Sequence, residues 1–244
     1  MNELEIIKNI VDEADRVVFF GGAGVSTASG IPDFRGSSGL YKIVSEYGAP
    51  PEEILSNGYL YNNPRGFYDY YRSNMIYPDA EPNGAHNALA ELERRGKLTA
   101  VITQNIDGLH QAAGSENVIE LHGSVLRNYC VGCGRRYTLS DILSTDGVPR
   151  CEHCGSFIRP DVTLYGEALD ATAFYEAEEA LASADVLIVG GTSLTVNPAA
   201  SLVASYYGDH LIIINKSPTP YDEYAEYVIR EPIEKALQYI VEGR

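Results

Sequence analysis

Three features are scarce in this sequence, and each scarcity excludes a class of protein. No run of 18 or more apolar residues occurs, so the sequence predicts no membrane-spanning helix. Lysine and arginine together number 18 against 34 acidic residues, and the formal net charge of −16 argues against the basic face that binds nucleic acid. This charge is compatible with cationic partners such as lysine-rich protein segments, although solubility is the more frequent reason for it.

Cysteine is the third scarce feature, and the four cysteines form two C-x-x-C pairs, Cys130 with Cys133 and Cys151 with Cys154. The N-terminus has neither the basic nor the apolar region of an export signal, so we expect a cytoplasmic protein whose thiols bind a metal. Seventeen residues separate the pairs, which fits the spacing of a Cys₄ zinc site. Four thiolates complete a tetrahedron, and we therefore predict one structural zinc ion per chain. His153 lies between two of these cysteines and could compete as a ligand, but we expect it to be exposed.

Apolar runs and helical periodicities alternate along much of the chain. Short apolar runs predict strands at 16–20, 98–103, 117–121, 185–190, 210–215 and 227–229. Helices are predicted over 3–14, 83–95, 170–183 and 231–242. The tyrosine-rich stretch 39–82 predicts short helices broken by loops. The alternation predicts an α/β fold with a doubly wound parallel sheet that is covered on both faces.

The first predicted strand runs into a glycine-rich loop with Gly21, Gly22 and Gly24. Glycines let backbone N–H groups approach a ligand, and a helix start after such a loop attracts anions, so we predict a phosphate-bearing ligand such as a dinucleotide. Thr27 replaces the third glycine of the pattern G-x-G-x-x-G, and no acidic ribose-binding residue follows, which argues against a dehydrogenase. An ordinary tight turn remains the alternative for the glycines. The loop continues with an anion, an aromatic ring and a cation, which are Asp33, Phe34 and Arg35.

Polar side chains follow three predicted strands at their carboxyl ends, where ligands of open α/β sheets bind. They are Gln104, Asn105 and Asp107 after the second strand, His122 after the third, and Thr192 and Ser193 after the fourth. Asn and Asp are also ordinary turn formers, and a lone histidine is more often a structural hydrogen-bonding residue than a base. Histidine nevertheless suits a general base because its pKa lies near working pH.

Several segments resemble motifs of one enzyme family. GAGVSTASGIPDFRG, TQNIDGLH, ELHGS and GTSLTVNPAA are similar to motifs of the sirtuins, the NAD-dependent protein lysine deacylases. The resemblance implies a Rossmann-like NAD-binding domain formed by 1–37, 83–123 and 160–244, a cofactor-binding loop and helical module at 38–82, and a zinc-binding module at 124–159. It also implies transfer of the acyl group of an acetylated lysine, in a partner protein or peptide, to ADP-ribose with release of nicotinamide.

The resemblance also implies roles for individual residues. The implied NAD-binding residues are Gly22, Ala23, Gly24, Thr27, Asp33, Phe34, Arg35, Gln104, Asn105, Ile106, Asp107, Gly191, Thr192, Ser193 and Asn215. The implied catalytic residues are His122 and Asn105. The implied substrate-binding residues are Val162, Thr163, Tyr165 and Val196, and the segment from 158 to 167 is expected to pair with the backbone of the peptide.

One further segment bears on the choice of acyl group. Sirtuins that prefer negatively charged acyl groups carry Tyr-x-x-Arg, whose arginine pairs with the acyl carboxylate. Here Tyr68 is followed by Tyr71, and Arg72 comes one position late, which turns its side chain by about 100° on a helix. We therefore expect acetyl-lysine as the substrate. Desuccinylation, ADP-ribosyl transfer to protein and a non-catalytic module that retains NAD remain the alternatives.

Overall fold

The structure is a computed structural model, and it describes residues 2–33 and 47–243. The strands are β1 (Val17–Gly21), β2 (Leu98–Thr103), β3 (Val118–Glu120), β4 (Gly123–Cys130), β5 (Arg136–Thr138), β6 (Ile158–Val162), β7 (Val186–Gly190), β8 (His210–Ile214) and β9 (Tyr227–Ile229). The α-helices are α1 (Glu3–Glu13), α2 (Pro51–Ile54), α3 (Asn57–Asn62), α4 (Pro64–Asn74), α5 (Gly84–Arg94), α6 (Leu109–Ala112), α7 (Leu139–Leu143), α8 (Ala171–Ser183) and α9 (Ile233–Glu242).

The central sheet has six parallel strands in the order β3-β2-β1-β7-β8-β9. The chain first adds β2 and β3 on one side of β1. It then places β7 on the other side of β1 and adds β8 and β9 beyond it. The sheet therefore reverses direction between β1 and β7, which is where ligands of doubly wound sheets bind. The prediction of a doubly wound parallel sheet is confirmed.

Helices cover both faces of this sheet, which is why its middle strands are apolar on both sides. On one face, α1, α5 and α9 contribute to a core that includes Ile7, Leu89 and Leu237. On the other face, α8 and the 3₁₀ turns at Ala199–Ser205 pack over Phe20 and Val189. Every residue of β1 and β7 is buried as a result.

A second unit lies beside the large sheet. It combines the antiparallel sheet β5-β4-β6 with the short helices α2, α3 and α4 around one shared core. The described part of the tyrosine-rich stretch, residues 47–82, forms short helices, as predicted, and most of its tyrosine rings are buried or half-buried, whereas residues 39–46 lie outside the described residues. The predicted module boundaries at 123/124 and 159/160 fall within β4 and β6, and the division into domains stays a prediction.

The glycine loop after β1 differs from the prediction. Two short 3₁₀ turns, Ala23–Val25 and Thr27–Ser29, follow it in the place where the sequence predicted the start of an α-helix. Gly30 ends the second turn with φ of +87°, in the left-handed region that favours glycine. An anion at this loop must therefore rely on individual N–H groups rather than on a helix dipole.

Within residues 2–33 and 47–243, no helix has the length and apolar character needed to cross a membrane.

Candidate active site and zinc centre

A cleft of about 970 Å³ opens at the carboxyl ends of the parallel strands. The loops after β1, β2, β7 and β8 form one side of it, and α4 and the segment after β6 form another. The predicted residues that line it are Gly22, Ala23, Gly24, Thr27, Asp33, Gln104, Asn105, Ile106, Asp107, His122, Val162, Thr163, Tyr165, Gly191, Thr192, Ser193, Val196 and Asn215. Phe34 and Arg35 lie outside the described residues. Residues spread over almost 200 positions of sequence are thus brought to one cavity.

The glycines after β1 allow two loops to touch. The N–H groups of Gly22 and Gly24 donate to the carbonyl oxygens of Gly190 and Gly191, at 3.2 and 2.8 Å. A Cβ on Gly24 would lie 2.7 Å from the Gly191 Cα, and one on Gly22 would lie 2.9 Å from the Thr192 Cβ. These two N–H groups therefore bind protein, and their glycines are needed for the close approach of the β1 and β7 loops.

Backbone donors nevertheless remain available in this loop. Among the described residues, no carbonyl or side chain accepts a hydrogen bond from the N–H groups of Ala23 and Thr27, and both residues line the cleft. Thr27 Oγ1 instead donates to the Gly24 carbonyl at 3.0 Å. Free N–H groups at a sheet reversal fit the diphosphate of a dinucleotide.

Ser26 connects the loop after β1 to the loop after β2 through hydrogen bonds, and the sequence reasoning did not single it out. Its hydroxyl donates to Asp107 Oδ2 at 2.7 Å and accepts from Asn105 Nδ2 at 3.0 Å. The Leu109 N–H binds the other carboxylate oxygen of Asp107 at 2.9 Å. Ser26 is fully buried. A hydroxyl within the glycine motif was the only available signal, and hydroxyls are common in loops.

Other residues that are predicted to bind the cofactor also have their side chains fixed by hydrogen bonds. Gln104 Nε2 donates to Thr192 Oγ1 at 3.0 Å, which joins the β2 loop to the β7 loop. Asn215 follows β8 and its amide donates to the Ser217 carbonyl at 2.8 Å. These contacts arrange amide and hydroxyl groups along one edge of the sheet, as the binding of two ribose units would require.

His122 is the only histidine among the described residues that line the cleft. Its Nδ1 lies 2.8 Å from the Gln104 carbonyl oxygen, which can only accept, so Nδ1 carries the proton. Nε2 of the neutral ring therefore keeps its lone pair. Burial lowers the pKa of His122, while the bond to Gln104 acts in the opposite direction, and the ring is neutral at pH 7. Gly123 follows with φ of +75°, and a Cβ there would collide with the Asp161 carbonyl.

The segment after β6 forms the wall opposite the cofactor candidates. The Thr163 N–H donates to the His122 carbonyl at 3.0 Å, which ties this wall to the histidine. The Tyr165 N–H donates to the Leu55 carbonyl at 3.1 Å, and the Asn57 N–H donates to the Tyr165 carbonyl at 3.0 Å. Within the described chain, nothing donates to the Thr163 carbonyl, so one acceptor of this wall is available to a ligand.

An ion pair between a buried arginine and a half-buried glutamate supports the same wall, and it was also missed from sequence. Arg159 contacts both carboxylate oxygens of Glu167, at 2.7 and 2.9 Å, and Glu167 accepts from the Leu164 N–H at 2.9 Å. Burial alone would raise the pKa of Glu167, but the bonds from Arg159, Leu164 and Asn57 outweigh it and lower the pKa to about 2. The pair holds the turn after β6 in one shape. No sequence pattern predicts that this arginine and this glutamate will form an ion pair.

The four cysteines form the predicted cluster in the second unit. Their sulfur atoms all lie within 4.8 Å of one another, with Cys130 to Cys154 at 3.3 Å and Cys133 to Cys151 at 3.7 Å. A zinc ion with bonds of about 2.3 Å places its sulfur ligands about 3.8 Å apart, whereas a disulfide bond is about 2.05 Å long. The cluster therefore fits one structural zinc ion with no open position. The Tyr137 hydroxyl donates to Cys151 Sγ at 3.1 Å, which supports that ligand.

Comparison with known proteins agrees with this geometry. The model of the Sir2 family matches residues 22–198, which is more than half of the chain. The chain belongs to the Sir2 family. A Clostridium acetobutylicum protein named NAD-dependent protein deacetylase is 49% identical over 242 residues and covers 99% of each chain. The protein of the same name from Clostridium tetani is 51% identical over 243 residues and covers 99% of this chain and 98% of its own.

A solved structure agrees over the full length. A Sir2 complex with p53 peptide and NAD⁺ has a TM-score of 0.85 and 40% identity, and the match covers 100% of this chain and 99% of that one. The predicted sirtuin fold, with a parallel sheet and a cysteine cluster beside it, is thereby confirmed.

Two buried imidazoles lie next to the Asp107 loop of this sirtuin. His86 and His110 are 0% and 1% exposed, and their ring centroids are 4.8 Å apart. His86 Nδ1 accepts from the Asn83 N–H, and the other three ring nitrogens have no partner among the described residues. Burial lowers the pKa of His86 to about 4, although the charge of Asp107 opposes it. Burial and the nearby His86 lower the pKa of His110 to about 3.

These two histidines make the folded sirtuin sensitive to acid. In the unfolded chain, a histidine takes up its proton near pH 6.5, but the folded chain binds these protons only near pH 4 and 3. The unfolded state thus binds more protons below pH 6.5, and the free energy of unfolding falls as the pH falls. The two histidines together should cost about 3 kcal/mol between pH 6.5 and 5. Urea unfolding at several pH values measures this loss.

Histidine NMR signals test the cause of that loss directly. The ring signals of His86 and His110 should keep their chemical shifts between pH 7.5 and 5.5. A His153→Ala variant, which removes an exposed histidine, should show the same dependence of stability on pH as the wild type. If either buried ring titrated with a midpoint near pH 6.5, this explanation would be wrong.

Proposed function

We propose that this sirtuin is an NAD-dependent protein lysine deacetylase, which transfers the acetyl group of acetyl-lysine to ADP-ribose and releases nicotinamide. The observation that carries the proposal is His122, whose neutral ring lines the same cleft as the polar groups of four strand ends. Near full-length relatives named NAD-dependent protein deacetylase support it. Acetylated lysine-containing proteins or peptides are the partners, and the p53 peptide in the related Sir2 complex supports this class of ligand.

The residues at the strand ends hold the cofactor in this proposal. NAD supplies an ADP-ribose unit that can part from nicotinamide and accept an acyl group. The N–H groups of Ala23 and Thr27, which have no acceptor among the described residues, would bind the diphosphate, and Gly22 and Gly24 keep the β1 and β7 loops close together beside it. The remaining assigned residues are Asp33, Phe34, Arg35, Gln104, Asn105, Ile106, Asp107, Gly191, Thr192, Ser193 and Asn215.

Ser26 positions the two groups nearest to the nicotinamide side. Asn105 would contact the ribose, and Asp107, together with the Ile106 backbone, would bind the carboxamide. Because the Ser26 hydroxyl bonds both side chains at 2.7 and 3.0 Å, they are held in fixed orientations before the cofactor enters. Groups that are oriented in advance lose less entropy when they bind.

His122 moves the proton. Its Nδ1–H is held by the Gln104 carbonyl, so Nε2 is the basic atom and would accept a proton from a ribose hydroxyl of the bound cofactor. Burial lowers the pKa of the ring, which keeps Nε2 unprotonated at neutral pH. Asn105 supports this step from the ribose side.

The acetylated peptide lies along the wall after β6. The free Thr163 carbonyl accepts from the peptide or the lysine amide, and Val162, Tyr165 and Val196 contact the chain around it. The Arg159–Glu167 pair keeps this edge in shape. Backbone pairing of this kind reads little sequence, so many acetylated segments can bind.

The charges of the cleft favour a neutral acyl group. Arg72 lies away from it: its guanidinium donates to the Ile142 carbonyl at 3.2 Å and the Gly147 carbonyl at 2.7 Å, and packs on the Tyr68 ring. Among the described lining residues, Lys216 is the only cation. A buried acyl carboxylate would therefore lack a partner there, and an unpaired buried charge is costly.

A panel of acylated peptides tests this function. Nicotinamide release with acetyl-lysine peptide should exceed that with succinyl-lysine peptide by about 100-fold or more, since the succinyl carboxylate finds no cation. Chromatography of nicotinamide and mass spectrometry of the peptide give both rates and products. Loss of the acetyl mass indicates deacetylation, while gain of an ADP-ribose mass on the target would indicate a transferase instead. An acetylated peptide that released no nicotinamide would point to a non-catalytic module.

We propose a cytoplasmic location for the protein. All four thiols lie in the cysteine cluster that suits zinc, and none is bonded to another as a disulfide. Thiols in this state favour a reducing compartment.

A further inference from the structure

The residue that caps α5 also contacts the glycine loop after β1. Asn83 precedes the helix, and its Oδ1 accepts a hydrogen bond from the Ala85 N–H at 2.9 Å. The backbone N–H of Asn83 donates to His86 Nδ1 at 3.2 Å, which completes a capping box. This cap uses the oxygen of the Asn83 side chain and leaves its NH₂ group available for other contacts.

That NH₂ group binds the glycine loop twice. Asn83 Nδ2 donates to the Val25 carbonyl at 2.8 Å and to the Ser29 hydroxyl at 2.9 Å. Both protons of the NH₂ group therefore have acceptors, while Oδ1 faces a donor, so the orientation of the side-chain amide is determined by its partners. A helix cap needs only the oxygen. The two bonds to residues more than 50 positions away thus serve a second purpose.

The two bonds hold the loop on either side of one available donor. Val25 ends the first 3₁₀ turn and Ser29 ends the second. The N–H of Thr27 lies between these two anchored points, and no described residue accepts a hydrogen bond from it. The peptide unit that contains the Val25 carbonyl directly precedes the unit that contains the Thr27 N–H. Fixing Val25 and Ser29 therefore limits the directions in which the Thr27 N–H can point.

Asn83 acts on the cleft only through this loop. Its side chain is half-buried and does not line the cleft, whereas Thr27 does. The loop itself consists of two short 3₁₀ turns, whose hydrogen bonds have poorer geometry than those of an α-helix. Such a loop gains more than a regular helix would from an anchor on a rigid neighbour, and α5 packs in the core of the large sheet.

We propose that Asn83 is a positioning residue for the cofactor, whose NH₂ group fixes the glycine loop so that the Thr27 N–H faces the diphosphate of NAD. The inference rests on the proposed NAD-dependent function. A donor that is oriented before the ligand arrives loses less entropy on binding, so the loss of this anchor weakens cofactor binding.

Replacing Asn83 with aspartate separates this role from helix capping. Aspartate caps a helix as well as asparagine does, but it offers an oxygen in place of the NH₂ group and so repels the Val25 carbonyl. We expect Asn83→Asp to raise Kd for NAD and for ADP-ribose, measured by calorimetry, by about 10-fold. KM for the acetylated peptide should stay within about twofold of wild type, because the peptide wall follows β6. An increase in Kd below about threefold would overturn the proposal.

A matched control makes the same exchange at another helix cap. Asn63 caps α4 through Oδ1, which accepts from the Gly66 N–H at 3.1 Å, and its Nδ2 donates to the Tyr59 hydroxyl at 3.1 Å. Asn63 does not line the cleft and has no contact with the glycine loop. Asn63→Asp should therefore keep the wild-type Kd for NAD. An equal loss of affinity in both variants would assign the effect to the added charge and overturn the proposal.

Ser29 provides a second test from the side of the loop. Ser29→Ala removes one of the two acceptors and leaves the cap of α5 intact, so Kd for NAD should rise by about threefold. Ser29→Thr keeps a hydroxyl and should restore the wild-type value. If Asn83→Asp fails to fold, this pair decides, and an unchanged Kd in Ser29→Ala would overturn the proposal. Wild type is titrated with NAD first: absence of binding would remove the proposed function itself, whereas normal binding by Asn83→Asp removes only this inference.

Discussion

Replacing His122 with alanine should lower kcat for deacetylation by about 10²–10⁴, the usual contribution of a positioned general base. The expected loss is large because no second imidazole lines the described part of the cleft to take over the proton. KM for NAD should change much less. The Nδ1 atom of His122 binds the Gln104 carbonyl of the protein itself, so this contact does not hold the cofactor. Steady-state formation of the deacetylated peptide, followed by mass spectrometry, measures the effect.

A pH profile separates a base from a merely structural histidine. A base must be unprotonated, so wild-type kcat/KM should fall as the pH falls through the pKa of His122. Burial lowers that pKa, which places the midpoint of the acid limb below pH 6.5. The limb should disappear in His122→Ala. As a control, His210→Ala alters a histidine at the start of β8, outside the cleft, and should keep the wild-type rate. Near-full deacetylation by His122→Ala would falsify the assignment.

Replacing Cys151 with serine should remove the zinc and unfold the unit that carries it. Cys151 is buried in the four-sulfur cluster, and three thiolates with a hydroxyl hold zinc poorly. Structural zinc in small zinc fingers contributes about 10–16 kcal/mol of binding free energy, so most of the stability of this unit depends on the ion. Deacetylation should be lost as well, because β6 leads directly into the Thr163 wall. Zinc content by atomic emission and thermal unfolding measure both effects.

The matched control for this variant lies between two of the zinc ligands. His153 is exposed and takes no part in the cluster of four cysteines. His153→Ala should therefore keep one zinc per chain and the wild-type melting temperature. If Cys151→Ser kept one zinc per chain while His153→Ala lost it, the Cys₄ assignment would be incorrect.

Local sequence patterns predicted the regular elements well. The strand expected at 98–103 has the same limits as β2. Asn83 and Asp170 cap the starts of α5 and α8 through side-chain bonds to backbone N–H groups, so those starts depend on neighbouring residues alone. Such features are readable because the interacting groups lie within a few positions of each other.

The glycine loop shows where local reasoning was incomplete. The sequence predicted N–H groups of glycine facing a ligand, followed by a helix. In the structure, Gly22 and Gly24 donate to the β7 loop, about 170 residues away, and 3₁₀ turns follow. The glycines are essential for a contact that no short window of sequence contains.

The sequence by itself determined the alternation of strands and helices, the pairing of four cysteines, the family and the direction of Arg72 away from Tyr71. Periodicity, ligand spacing and motifs are properties of residues that are near each other in sequence, so they can be recognised without knowledge of the packing. The tertiary structure alone decided which nitrogen of His122 is basic and that Ser26 holds Asn105 and Asp107. Each of these depends on which distant groups come within about 3 Å of each other, and only the packing of the whole chain sets those distances.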